Sequence, residues 1–493
     1  MKRAARRLAL VSVLAGSTAV AFMSTRSERT SARRRNRTSP LSSTSRLART
    51  SQLATLAGTV AADMTVTRAR QQFASAPRRD ILQRELEMRS AQHVTERLGN
   101  MKGALMKLGQ MASYMDEGLP SHVREVLAQL QQSAPPMSAE LVEQCIVDEL
   151  GSTPAQLFAE WDPEPIAAAS IGQVHRAITR DGQAVAVKVQ YPGVAEAISA
   201  DLATADLVFG AIGAGFRGLD RRAVTDEIKA RLVEELDYEL EARNQQLFAD
   251  YYAGHPTIHV PAVIASLSGP RVLTSELCIG AHLDEVKTWN ADQRDMAAET
   301  VFRFVFRSLY HLDAFNGDPH PGNYLFRPDG HVSFLDFGLV RHFDKPEIAA
   351  FLKLVDTMVL QHDPAAFRAA LVEQGFLPPD VPASDDELVD YFGAFYAIVR
   401  TRGAFQFTSE YASSIVRRTF DLSSPIAKYA TVPAPYVIIQ RINLGLYAIL
   451  GTLDATRDWR SISDELWPIV NGPPSTPLGE AEAAWLAAKG QRV

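Results

Sequence analysis

The apolar positions Val94, Leu98, Met101, Leu105, Leu108, Ala112 and Met115 recur at alternating steps of four and three. That spacing puts them on one face of a long helix. Lys107, Gln110 and Tyr114 fall together on another face. Pro120 stops this helix, Ser121 can cap the next, and Pro135-Pro136 separates it from a third that runs from Ser138 to Gly151. The period then changes. Over residues 166–190, Gly172–Thr179 and Ala184–Gln190 read as strands, joined at the hairpin turn Asp181-Gly182. Helical pattern returns over residues 193–253. Ile258–Ala265 and Pro270–Leu277 read as two more strands, Met296–Ala314 as an apolar-rich helix, and Val332–Leu335 as a short strand after the turn Pro328-Asp329-Gly330. From about Pro346 onward the pattern is mainly helical. Tyr436–Gly451 is apolar, but Arg441 and Asn443 interrupt it, so it reads as a packed core helix and not a membrane span. Short strands grouped among many helices predict an α+β protein.

Composition changes this picture little. A chain of 493 residues with 46% hydrophobic and 22% charged residues can bury a sizeable core. The net charge of −6 gives no global signature of nucleic-acid binding. Two cysteines, Cys145 and Cys278, offer no zinc spacing and fit a reducing, cytosolic setting. The charge is uneven: before Asp63 the only acid is Glu28, amid many arginines. Residues 1–7 are basic and Leu8–Met23 mostly apolar, like the start of a signal or transit peptide. That run is shorter than the roughly 20 apolar residues a spanning helix needs. Residues 24–45 read as a basic linker with an affinity for anionic lipid.

Two short segments carry chemistry. Asp318-Pro319-His320-Pro321-Gly322-Asn323 has the D-x-x-x-x-N spacing of a phosphoryl-transfer loop, and Asp336-Phe337-Gly338 follows a strand that would deliver its aspartate to a metal. Such chemistry needs an acid to orient the attacking oxygen and oxygen ligands to hold Mg²⁺ on ATP phosphates. Ala184-Val185-Ala186-Val187-Lys188 ends a strand with a lysine suited to the α- and β-phosphates, though by itself it also fits an edge-strand lysine. In the acidic stretch after Glu234, Asp237 and Glu241 share a helix face. A helical glutamate must pair with that lysine; a solvated acidic face is the plain alternative. Lys107 and Gln110, on spacing alone, fit an ordinary polar face. Glu276-Leu277-Cys278 would be the connection whose backbone meets adenine. After Gly338 the chain turns helical almost at once, with no A-P-E and no long segment to dock a peptide.

Over about residues 46–470 these features resemble the UbiB/ADCK/AarF group of atypical, protein-kinase-like proteins. Lys107-Leu108-Gly109-Gln110 resembles that group's KxGQ signature. Ala167-Ala168-Ala169-Ser170-Ile171-Gly172-Gln173-Val174-His175 resembles its alanine-rich loop, and Glu235-Leu236-Asp237-Tyr238 its ExD motif. The chain departs at Gly317, where a larger residue is expected, and in lacking an evident C-terminal membrane span.

The resemblance implies a bilobal kinase-like fold. A small β-containing lobe would occupy residues 156–280 and a helical lobe 281–475, preceded by a helical KxGQ extension over 46–155. Residues 1–45 would be a targeting-like or disordered start and 476–493 a tail. It implies ATP or ADP with Mg²⁺ as cofactors. Lys188 would bind phosphate and pair with Glu241, Asp318 would act as base or orient the nucleophile, and Asn323 and Asp336 would hold the metal. Ala167, Ala168, Ala169, Ser170, Gln173, Val174, Glu276 and Cys278 would surround the nucleotide. Lys107 and Gln110 would fold over the site and meet Glu235 and Asp237, excluding peptides. Alanine approaches phosphate less freely than glycine does, which disfavours protein phosphorylation. The expected activity is kinase or ATPase chemistry on a small-molecule or lipid substrate, in support of isoprenoid-quinone or other lipid metabolism. The expected setting is cytoplasmic, with peripheral membrane contact through the N-terminus and no nucleic-acid partner. The rival readings are a nucleotide-binding pseudoenzyme serving as a regulator or lipid chaperone, and a true Ser/Thr protein kinase.

Overall fold

The computed structural model describes residues 137–169, 171–192, 194, 236–419 and 424–490. The stretches before residue 137 that the sequence predicts to be a basic N-terminus and a helical extension, together with Lys107, Gln110, Ser170 and Glu235, lie outside them.

The first helix, α1 (Ala139–Leu150), starts after Ser138 and ends at Gly151 in a left-handed conformation, as its sequence bounds predict. After the short helix α2 (Pro154–Leu157) come β1 (Phe158–Ala168), β2 (Gly172–Thr179) and β3 (Ala184–Gln190). Helix α3 (Tyr238–Tyr252) follows, then β4 (Ile258–His259) and β5 (Val272–Glu276). Four strands form an antiparallel sheet in the order β1-β2-β3-β5. Val185, Val187 and Val189 alternate onto one face, where they pack with Val142, Cys145 and Ile146 of α1. Strand β1 begins eight residues before the change of pattern at 166. Pro163, Pro165 and a mostly exposed surface hide it. Proline is tolerated because β1 is an edge strand, and its pairing with β2 is irregular around both prolines. Of the two strands expected over Ile258–Ala265 and Pro270–Leu277, short cores remain.

Past β5 the chain is helical apart from short strands. Helix α4 (Leu283–Val286) leads to α5 (Ala291–His311), which starts before Met296 because Asn290 and Gln293 form a capping box. Strands β6 (Ala314–Asn316), β7 (Tyr324–Phe326), β8 (Val332–Phe334) and β9 (Val340–His342) follow. They make two small sheets, β4-β8-β7 and β6-β9. Helices α6 (Lys345–Val355), α7 (Pro364–Glu373), α8 (Asp385–Gly393) and α9 (Ala397–Arg400), strand β10 (Phe405–Gln406), and helices α10 (Ser409–Thr419) and α11 (Ala434–Leu453) come next. Strand β11 (Thr456–Arg457) and helices α12 (Trp459–Leu466) and α13 (Pro477–Ala488) close the described chain.

The largest core surrounds α5, with Phe302 and Phe304 fully buried. Arg303, on the same helix, is also fully buried. It is held by Glu299 at 2.9 Å and by Glu465 and Glu482 at 2.8 Å each, while Arg307 reaches Glu482 at 2.6 Å. Burial alone would raise the Glu482 carboxyl, but the His255 hydrogen bond and the two guanidiniums hold it far below the usual range. Residues 476–493, set apart as a tail by sequence, thus hold a helix whose Glu482 sits in the buried network. No helix among the described residues is long and apolar enough to cross a membrane.

Candidate active site

Lys188 lies on β3 between Val187 and Val189. Those two face α1, so strand alternation turns the lysine to the opposite side. Val174 is its cross-strand partner on β2 and shares that side. Glu241 sits in the first turn of α3, where the helix dipole favours a carboxylate. Asp237 is the N-cap, its Oδ1 accepting the Leu240 N–H at 2.8 Å.

The lysine and glutamate meet. Lys188 Nζ donates to Glu241 Oε1 at 2.7 Å and Oε2 at 2.9 Å. It stands 3.5 Å from Asp336 Oδ2 and 5.0 Å above the Tyr238 ring. Burial alone would lower the pKa of Lys188, but the Asp336 and Glu241 carboxylates outweigh it and hold the ammonium well above the ordinary lysine value.

Asp336 is fixed on three sides. Its Oδ1 accepts the Gly338 N–H at 3.0 Å, and its carbonyl accepts Asn316 Nδ2 at 2.7 Å. Phe337 is fully buried 4.9 Å from the Phe248 ring of α3, and its carbonyl accepts Asn244 Nδ2 at 3.2 Å. The neighbouring loop is tied to the same frame. Asn323 Nδ2 donates to the Asp318 carbonyl and to Asp318 Oδ2, both at 3.2 Å, and the Asn323 carbonyl accepts the Leu335 N–H at 3.0 Å. Asn316 Oδ1 accepts the Asp318 N–H at 3.2 Å. One amide therefore bridges the two acidic segments. Asn316 was missed by sequence reasoning because a single asparagine two residues before the motif carries no spacing signal. Gly317, the departure from the expected pattern, has a steric reason: a Cβ there would lie 3.0 Å from the Leu339 carbonyl oxygen.

The alanine-rich stretch is the turn end of a hairpin. Ala167 pairs with Val174 and Ala168 with Gln173, and the Ala169 N–H donates to the Gly172 carbonyl. Gln173 is buried on the side away from Lys188. Its Oε1 accepts the Met137 N–H at 2.8 Å, so its amide group donates to His175 Nε2 at 2.9 Å and His175 Nδ1 donates to the Asp162 carbonyl. Burial lowers the pKa of His175 and keeps it neutral. Gln173 thus ties the chain before α1 to the loop, and its amide is spent on that link.

At the far edge, the Glu276 carboxylate pairs with His259 at 3.2 Å. The Cys278 thiol is pushed up to about 11 by burial, so it is not a nucleophile near neutral pH. The Cys278 N–H has no hydrogen-bond partner among the described residues. A half-buried donor of this kind suits a heterocycle acceptor. Among the described residues no cluster of three His, Cys, Asp or Glu could hold a metal unaided. Asp336, one-third exposed, and the Asn323 Oδ1 left by the Nδ2 bond to Asp318 fit a cation that takes its other ligands from phosphate and water. Only residues 339–344 separate Gly338 from α6, and β9 within them is paired to β6.

An ABC1 atypical kinase-like domain matches residues 129–369. The chain is 35% identical to the mitochondrial atypical kinase COQ8B of Rattus norvegicus, over 52% of this chain and 48% of that protein. It is 30% identical to the mitochondrial atypical kinase COQ8 of Saccharomyces cerevisiae, over 58% of this chain and 57% of that protein. The chain belongs to the UbiB/ADCK/AarF family. It spans about half the length of the curated relatives it matches. A solved structure titled as Rv3197–erythromycin from Mycobacterium tuberculosis aligns at a TM-score of 0.58 and 31% identity, covering 80% of this chain and all of that one. As a UbiB-family protein, this chain has a kinase-like α+β domain, and the Lys188, Glu241 and Asp336 constellation lies within the matched span.

Proposed function

We propose that this protein binds Mg²⁺-ATP and transfers or hydrolyses the terminal phosphoryl group, with a small molecule, a lipid or water as acceptor. The observation that carries the reading is Lys188 held by both Glu241 and Asp336. Kinase-type phosphoryl transfer requires such a lysine–glutamate pair, with an aspartate beside it to take the metal. In this reading the sheet-bearing residues 156–280 and the helical residues 281–475 are two lobes with the nucleotide between them. Lys107 and Gln110 of the KxGQ motif would exclude peptides from that cleft.

Lys188 orients the phosphates, and the Cys278 N–H and Val174 hold the base. Asp318, fixed by Asn316 and Asn323, orients the attacking oxygen. Asn323 and Asp336 hold Mg²⁺, which neutralises charge on the phosphates. The short link 339–344 leaves little surface for docking a peptide, which favours a non-protein acceptor over a Ser/Thr protein kinase. The erythromycin named for the mycobacterial relative is a non-peptide ligand and points the same way. The proposal extends to a role in isoprenoid-quinone or other lipid metabolism with peripheral membrane contact, and membership of this family supports it.

The test is ATP turnover by wild type against Asp318→Asn and Asp336→Asn. Turnover in wild type that falls about 10²-fold or more in both variants supports an enzyme. If all three bind nucleotide and hydrolyse none, the pseudoenzyme reading replaces it.

A further inference from the structure

Helix α11 carries a glycine at 445 with helix on both sides of it. Glycine in a helix interior is less favourable than alanine. The packing supplies a reason for it. A Cβ at Gly445 would lie 2.1 Å from Cγ and 2.7 Å from Cβ of Pro319. Pro319 follows Asp318 directly. Its ring closes onto its own backbone nitrogen, so it cannot swing aside as a long side chain would. Moving the ring moves the peptide that joins it to Asp318. Six residues on, Gly451 makes a second close approach, where a Cβ would meet the Thr408 carbonyl oxygen at 2.9 Å and the Ser409 nitrogen at 3.2 Å. There Ser409 Oγ donates to the Gly451 carbonyl at 3.0 Å. Helix α11 is therefore gauged at two bare points, one against the Asp318 loop and one against the start of α10.

We propose that Gly445 is a positioning residue: the bare surface of α11 seats Pro319 and so sets where Asp318 stands relative to Asn323 and Asp336. The proposal rests on the role given to Asp318 above. Its physical content is a coupling between a core helix and the acid of the site, carried by the van der Waals contact of the Pro319 ring with Gly445. Because the contact lies on the Asp318 side, it bears on turnover and leaves the nucleotide contacts of Lys188 and Cys278 alone.

The experiment uses the full chain with Gly445→Ala, Gly451→Ala, Pro319→Ala and the Gly445→Ala/Pro319→Ala pair. Alanine at 445 must open the contact by about 1 Å. A displacement of that size near reacting groups costs about a hundredfold in rate. Gly445→Ala is therefore expected to lower kcat for ATP about a hundredfold with the affinity for a non-hydrolysable ATP analogue unchanged. Gly451→Ala, which disturbs the same helix away from Asp318, is expected to lower Tm with kcat near wild type. In the double variant the nearer clash is gone, so Gly445→Ala is expected to cost less Tm in the Pro319→Ala background than in wild type. If Gly445→Ala loses no more turnover than Gly451→Ala, or if the two Tm losses simply add, the proposal is overturned. Should wild type itself turn over no ATP, the functional reading above fails. The melting cycle then judges the seat of Pro319 by itself, with additivity the overturning result.

Discussion

Removing the lysine and removing the glutamate from the central ion pair are not equivalent perturbations. Glu241 is 3% exposed, and in the structure it shares two short hydrogen bonds with Lys188. Lys188 is 18% exposed and has a second carboxylate, Asp336, at 3.5 Å. Glu241→Gln therefore leaves the ammonium a partner. It gives up charge-assisted hydrogen bonding worth about 1.5–3 kcal/mol. Lys188→Met takes the ammonium away from two carboxylates at once, and removing one partner of a buried pair costs about 3–5 kcal/mol. The methionine variant should be the less stable of the two.

Urea unfolding of wild type, Glu241→Gln and Lys188→Met at pH 7 measures the difference. The reasoning is refuted if Lys188→Met is as stable as Glu241→Gln.

Three further outcomes follow from other parts of the molecule. Glu482→Gln, which leaves the buried Arg303 and Arg307 short of a carboxylate, should cost about 3–5 kcal/mol in urea unfolding and loosen α13 to proteolysis. His175 and His255 are held neutral by burial, their folded pKa values below the ordinary one. The unfolded state therefore takes up more protons, so Tm should fall as pH drops from about 7 through 6 and level off once the folded-state values are passed. His175→Asn should make that fall shallower. Gly317→Ala should lower ATP turnover more than nucleotide affinity, because its Cβ presses on the Leu339 carbonyl beside Asp318, and a turnover equal to wild type would contradict that account.

How much of this was legible in the sequence varies with the kind of signal. The hairpin of β2 and β3 lies where its alternation and Asp181-Gly182 put it. Helix α1 has the bounds that Ser138 and Gly151 mark. Motif spacing singled out Asp318, Asn323 and Asp336, and the fold holds them in one frame, Asn323 bonded to Asp318 and Asn316 joining that loop to Asp336. Strand β1 was less readable, since an exposed edge strand with two prolines carries neither alternation nor an apolar run.

Contacts between distant segments were the least readable. Asn316 joining the two acidic segments, Gly445 meeting Pro319, and Gln173 turned toward Met137 each depend on tertiary neighbours that no local period encodes. Arg303 and Arg307 fall on an apolar-rich helix and would pass for exposed residues, yet acids far along the chain bury them.

The most direct test of the account is the affinity of the wild-type chain for ATP by titration calorimetry, with and without Mg²⁺, set beside the same pair of measurements on Asp336→Asn. The account predicts that Mg²⁺ strengthens ATP binding to wild type and that Asp336→Asn loses this enhancement while still binding ATP. An affinity indifferent to Mg²⁺ in wild type, or an enhancement that survives intact in Asp336→Asn, would contradict it.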